Sequence, residues 1–123
     1  MKKVILDTNF ILTCVKQKID FFEEIKLMGL KIIIPKPVIK EIELLAKYDK
    51  KYHSQEDAKL ALKILEKGKF EKRNLDEGTV DAGIIKAAKA DNTMIVATLD
   101  KRIKRLTINP KLVIKDMKTL KID

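Results

Sequence analysis

A chain of 123 residues and 14.1 kDa suits one compact domain, and 46% apolar with 37% charged residues exclude a disordered or low-complexity polymer. A single cysteine, Cys14, and a single histidine, His53, exclude a disulfide framework, a thiolate metal cluster and a histidine-rich site. The net charge of +9 fits a polyanionic partner, nucleic acid first, and equally well a lysine-rich surface with no such partner.

Val4-Ile5-Leu6 is a short apolar run of strand type that ends at Asp7-Thr8-Asn9. Helical periodicity follows from Phe10 to Val15 and again through Phe21, Phe22, Ile25 and Met28, with Gly29 where a left-handed cap belongs. Lys31-Ile32-Ile33-Ile34 is a second buried strand, and a helix starting near Pro37 buries Val38, Ile39, Ile42, Leu45 and Ala46. Residues 47–56 are polar and unpatterned, which predicts an exposed loop, with Ser54 capping a helix that packs Ala58, Leu62 and Leu65 and ends at Gly68.

A weak strand near Phe70 leads to a long helix from about Glu77 to Ala90. Thr93–Leu99 is the third strong strand, Asp100 opens a short basic helix, Asn109-Pro110 turns the chain and Leu112-Val113-Ile114 is a final strand. The tail from Lys115 to Asp123 carries no assignable pattern. Apolar runs alternating with helices mark strands covered on both faces. The expected fold is a single-domain α/β three-layer sandwich with a central parallel sheet of about five strands. No apolar run approaches the roughly 20 residues of a membrane span. Asp7 and Asn9 break the apolar start, so the sequence predicts no signal peptide, no membrane association and a cytoplasmic location.

Among the acids, the informative ones lack the company that surface acids keep. An exposed helical acid usually finds a cation three or four residues away, yet Glu41 has Pro37, Val38, Leu44 and Leu45 there, and Asp81 has Glu77, Gly78, Ile84 and Ile85. Asp7 and Asp100 each follow a strand and precede a helix, at the carboxyl end where open parallel sheets place their sites. Each could equally be a helix N-cap and nothing more. If the first and third strong strands are central neighbours, Asp7 and Asp100 face each other across the crevice. Glu41 and Asp81 then sit in first turns near the same edge. Converging carboxylates repel unless protonated or bridged by a cation, and hard oxygen donors select Mg²⁺ or Mn²⁺. Such a metal beside a basic surface points to phosphoryl chemistry on nucleic acid.

Leu6-Asp7-Thr8-Asn9, Val38-Ile39-Lys40-Glu41-Ile42, Thr79-Val80-Asp81-Ala82-Gly83-Ile84-Ile85 and Ala97-Thr98-Leu99-Asp100, in register along nearly the whole chain, resemble the PIN domain family. The resemblance implies a metal-dependent endoribonuclease in which Asp7, Glu41, Asp81 and Asp100 hold Mg²⁺ or Mn²⁺. Thr8 and Thr98 take the places of the hydroxyl residues that orient the site. Leu99 departs from the pattern, since many relatives carry a polar residue before the last acid. The Asp7–Leu12 start and the Ile19–Phe22 segment look like the archaeal branch related to small-subunit rRNA-processing nucleases.

The partner expected by this resemblance is RNA, single-stranded or an rRNA precursor; homodimerisation and an antitoxin protein are further expectations of the family. A toxin ribonuclease of a toxin–antitoxin pair and a non-catalytic RNA-binding assembly factor stand as alternatives. Lys101, Arg102, Lys104 and Arg105 follow the last acid as candidate phosphate contacts, or as a solvated helix face. Tyr48, Tyr52 and His53 could stack on unpaired bases or simply decorate a loop.

Overall fold

A computed structural model describes residues 2–75 and 78–123. Its strands are β1 (Lys3–Leu6), β2 (Lys31–Pro35), β3 (Glu71–Arg73), β4 (Ile95–Ala97), β5 (Lys111–Lys115) and β6 (Thr119–Ile122). The helices are α1 (Thr8–Lys16), α2 (Phe21–Leu27), α3 (Lys36–Tyr48), α4 (Tyr52–Lys67), α5 (Val80–Ala90) and α6 (Lys101–Leu106). One sheet runs β3-β2-β1-β4-β5-β6, parallel except for the antiparallel β6. No helix among the described residues is long and apolar enough to cross a membrane.

The apolar runs become strands because both sheet faces are covered. Val4, Leu6, Ile32, Ile34, Ile95 and Ala97 point to one face, where they pack on α1 to α4. Ile5, Ile33 and Val96 point to the other, against Ile84 and Ala88 of α5 and Ile103 of α6. Alternate residues thus serve opposite layers, so every position on a central strand must be apolar. Each fully buried Ile or Leu contributes roughly 1.5–3 kcal/mol. Cys14 is one of these core residues, and burial pushes its thiol up to about 12, with the charge of Glu24 adding to the effect. It is a small core hydrophobe.

Local chemistry sets the element ends. Asp20 caps α2 through Glu23 N–H at 3.2 Å, and Gly29 follows that helix at φ 74°, open to glycine without a Cβ penalty. The buried Asn109 side chain donates from Nδ2 to the carbonyls of Ala88, Asp91 and Met94, at 3.0, 2.9 and 2.9 Å. It thereby closes the carbonyl end of α5 and the entry to β4.

Four sequence expectations change. The loop expected over 47–56 shrinks to three residues, because α3 runs on to Tyr48 and α4 begins at Tyr52. Ser54 lies inside α4 and caps nothing; the cap position is Lys51, with no side-chain hydrogen bond, so no capping signal marks the start. The Thr93–Leu99 strand is only Ile95–Ala97, since Thr93 is drawn into a turn by two bonds to the Asp91 carboxylate. The tail forms β6, a sixth strand that pairs antiparallel with β5 and is tied to α2 by Leu120 N–H on Glu24 Oε1 at 3.0 Å. The expected start of α5 at Glu77 lies outside the described residues.

Gly68 ends α4 against the ring of Phe22 from α2, and a Cβ there would overlap the far edge of that ring. Gly68→Ala is expected to cost about 1–3 kcal/mol in urea unfolding, the range of overpacking. In a Phe22→Leu background the same substitution should cost much less.

Candidate functional site

Strand order creates the site. From β1 the chain winds outward to β2 and β3 on one side, and from β4 to β5 and β6 on the other, so the topological switch falls between β1 and β4. Leu6 pairs with Ala97 across that junction, and Asp7 N–H donates to Ala97 O at 3.0 Å. The residues just beyond the two strand ends, Asp7 and Thr98, are thereby set side by side. Both are buried.

Asp7 is fixed at both oxygens. Its Oδ1 accepts Thr8 N–H at 2.8 Å at the start of α1, and its Oδ2 accepts the Thr98 hydroxyl at 2.8 Å. Thr98 Oγ1 in turn accepts Asp100 N–H at 3.1 Å. Asp100 Oδ1 then takes Arg102 N–H at 2.7 Å and Ile103 N–H at 3.2 Å, capping α6. One threonine hydroxyl therefore couples the two strand-end acids. Thr8, the residue after Asp7, has its Oγ1 buried without a hydrogen-bond partner, a polar atom that this arrangement leaves unsatisfied.

The helical acids complete the edge from opposite layers. Asp81 is the second residue of α5, a helix whose Thr79 cap accepts Ala82 N–H at 3.1 Å. Burial raises the Asp81 carboxyl above its ordinary value; the charge of Asp100 and a hydrogen bond to its carboxyl raise it further, and Arg102 opposes them. Burial likewise raises Asp7, with smaller upward pushes from Asp81 and Glu41 against the downward pull of Thr98 and Thr8. Glu41 is exposed and falls in the second turn of α3 rather than the first, because that helix begins at Lys36.

Asp7 thus feels the charges of Glu41 and Asp81, and Asp81 that of Asp100. The four do not form a tight cage. Among the described residues no three acidic, histidine or cysteine side chains are gathered closely enough to hold an ion as they stand. Carboxyls raised above their ordinary value by burial first and by neighbouring acids second, together with an unpartnered buried hydroxyl, fit a hard divalent cation that would draw them in.

The basic quartet divides along α6. Arg102, exposed, faces Asp81, whereas the charge of Lys104 is felt by Lys111 at the first residue of β5, toward the opposite edge of the sheet. Lys101 and Arg105 are exposed. A groove is lined by Asn9, Leu12, Thr13 and Lys16 of α1, Ser54 and Asp57 of α4, and Leu99. A helix start at Ser54, as the sequence suggests, hides this groove, because it leaves Ser54 at a cap and not on the α4 face beside Asp57. The polar stripe of Asn9, Thr13 and Lys16, at helical spacing, was the signal available. A roomier apolar hollow among Val15, Ile19, Phe21, Phe22, Leu60 and Ile64 contains none of the four acids.

A model of a family described as "PIN like domain" matches residues 4–119. Ribonuclease VapC4 of Methanocaldococcus jannaschii is 28% identical over 128 residues, spanning 99% of this chain and 97% of its own. The solved structure of the PIN domain endonuclease Utp24 matches at TM-score 0.77 and 30% identity, over 98% of this chain and 90% of that chain. VapBC2 from Rickettsia felis, solved bound to a DNA fragment from their promoter, shares the fold at TM-score 0.60 and 19% identity, over 89% of this chain and 98% of that one.

An acid whose folded-state pKa is raised destabilises the fold once ionised. The loss develops as pH rises past the unfolded value of 3.8. Asp7→Asn removes that charge while keeping an oxygen for capping. In chelator near neutral pH the variant is expected to melt a few degrees above the parent, and the gap should close as pH falls toward 4. Mn²⁺ should raise the melting temperature of the parent more than that of the variant.

Proposed function

The chain belongs to the PIN-like domain family, and from that premise we propose that it is a metal-dependent endoribonuclease hydrolysing RNA phosphodiester bonds. What supports this reading is that Thr98 ties Asp7 to the backbone of Asp100 at the β1–β4 strand ends, with Asp7 also feeling Glu41 and Asp81, and Asp81 feeling Asp100. In this reading Asp7, Asp81 and Asp100 hold Mg²⁺ or Mn²⁺, and Glu41 adds a ligand oxygen or orients the attacking water. A divalent cation bound there supplies a water of lowered pKa and offsets charge developing on the phosphate.

The remaining residues position the reaction. Thr98 ties the Asp7 carboxylate to the backbone of Asp100, whose own carboxylate is held by Arg102 and Ile103 N–H. Thr8 offers its unpartnered hydroxyl beside Asp7. Arg102 stands at the mouth as a phosphate contact, and Lys101, Lys104 and Arg105 extend a positive field along α6 that favours approach of a polyanion. By analogy with the family, the products carry a 5′-phosphate and a 3′-hydroxyl. The lone thiol of Cys14, buried and unpaired, suits action in the cytoplasm.

As substrate we favour an rRNA precursor, which the resemblance of the Asp7–Leu12 start and the Ile19–Phe22 segment to rRNA-processing nucleases suggests, and the likeness to the endonuclease Utp24 over 98% of the chain suits it. A toxin ribonuclease held by an antitoxin is the second reading, motivated by the full-length match to Ribonuclease VapC4. Growth arrest on expression, relieved by a co-expressed small partner, would select it over the first. Two copies associating in solution would suit either reading.

Single-stranded RNA incubated with the protein and Mg²⁺ or Mn²⁺ is expected to be cut internally, and chelator should stop the reaction. Asp7→Asn and Asp100→Asn should each lower the rate by about a hundredfold or more, the scale of losing one group that stabilises the transition state. Undiminished cleavage in both would remove these acids from the mechanism. Arg102→Ala should weaken RNA binding and flatten its salt dependence by about one unit of slope at most.

A further inference from the structure

Both tyrosines of the chain lie where α3 meets α4, and both are largely exposed, Tyr48 by 73% and Tyr52 by 69%. The four phenylalanines behave otherwise: Phe10 and Phe21 are buried, and Phe22 packs against both Phe21 and Phe70. Glu41, Leu44, Leu45 and Tyr48 stand at i, i+3, i+4 and i+7 of α3, hence on one face. That face lines a groove of about 470 Å³ which continues onto Lys50 and Lys51. Seven residues of helix span roughly 10 Å, so the groove joins the acid edge at Glu41 to the ring of Tyr48 within a reach of about one or two nucleotides.

We propose that this groove is a subsite for an unpaired base of single-stranded RNA, with Tyr48 as the stacking platform and Lys50 and Lys51 as contacts to the flanking phosphates. The proposal rests on the ribonuclease reading and adds to it where the strand lies. Residues 47–53 carry three lysines and one acid, and that acid, Asp49, is turned to the backbone, where it accepts Lys51 N–H at 3.0 Å. Gln55 Nε2 donates to Lys47 O at 3.1 Å across the same turn, so the ring of Tyr48 is presented from a braced corner. Tyr52 meets His53 edge-on at 5.7 Å in the first turn of α4. Stacking on an exposed aromatic ring beside lysines is how single strands are held without regard to sequence. A second copy of the chain is disfavoured on this face, because a two-fold contact would set the same lysines against one another.

Tyrosine emission reads this patch directly, since the chain has two tyrosines and no tryptophan. A short oligouridylate is titrated into Asp7→Asn protein in chelator, with affinity followed in parallel by anisotropy of a labelled strand. Binding should quench the emission, and Tyr48→Phe should bind as the parent does while losing most of the quenching. Tyr48→Ala should weaken binding by about fivefold to a hundredfold, the range of one lost base stack. Lys50→Ala and Lys51→Ala should each lower the salt slope by about 0.7. Binding that leaves the emission unchanged, Tyr48→Ala affinity equal to the parent, or absence of binding overturns the subsite. So does a dimer that Tyr48→Ala dissociates without change in RNA affinity. Cleavage assays on the unmutated Asp7 protein separate the two ideas. Cleavage with no effect of Tyr48 sinks the subsite alone, and quenching without any cleavage sinks the ribonuclease reading alone.

Discussion

Carboxylates gathered at one sheet edge repel one another, and two unit charges about 4 Å apart cost on the order of 4 kcal/mol at an effective dielectric near 20. Burial raises the Asp81 carboxyl, and Asp100 raises it further by its charge and by a hydrogen bond between the two side chains. Much of the surrounding architecture holds these groups in place against their repulsion. The β1–β4 ladder continues one bond beyond the strands, from Asp7 N–H to Ala97 O, so the first acid cannot swing away. Thr98 fastens it to the backbone of Asp100. The N-terminus of α1 lies beside Asp7, and its aligned peptide dipoles favour a negative charge there. Arg102 supplies a formal positive charge near Asp81.

Bringing the four together requires the edge of a sheet covered on both faces. Glu41 rides on α3, in the layer that covers Val4 and Leu6, and Asp81 rides on α5, in the layer that covers Ile5. A central strand separates those layers everywhere except beyond its end. Only there can a residue from each layer meet residues leaving the strands themselves. The reversal of strand order between β1 and β4 leaves that end uncovered, because neither connection crosses it. Fold and site are in this sense one decision, made by which strands are neighbours.

Much of this was legible in the sequence because buried parallel strands and helix starts leave strong marks. The runs Val4–Leu6 and Ile32–Ile34 and the strand-to-helix placement of Asp7 and Asp100 survive in the structure, whereas Asp81, without a cation on its own helix face in the sequence, finds Arg102 of α6. The start of α4 did not show itself, since Lys51 at its cap position makes no side-chain bond and Tyr52–Gln55 carries no apolar stripe. β6 was equally silent. In Thr119-Leu120-Lys121-Ile122 only Leu120 is buried, so an edge strand reads like a polar tail until β5 is there to pair with it. Glu41 was read from its own helix as poorly companioned, yet it is exposed. What singles it out is the acid edge across from it, and that is a tertiary fact with no signature at i±3 or i±4.

The sequence leaves Asp7 and Asp100 open as helix caps or site acids; the geometry shows the caps, and a cap does not exclude the second role. Each caps a helix with one oxygen, Asp7 through Thr8 N–H and Asp100 through Arg102 and Ile103 N–H. A carboxylate has about four lone-pair sites, so a cap leaves capacity on the group while fixing its rotamer. Asp7 uses its second oxygen to accept Thr98, and Asp100 still reaches Asp81. Capping is therefore the means by which a charge-bearing group is held still at the strand end. A threonine or serine cap would start either helix as well, with a hydroxyl in place of the charge. The use of aspartate at both positions, next to a third and a fourth acid, adds repulsion that helix formation alone does not require. That excess charge is what ties the local capping motif to the chemistry of the edge.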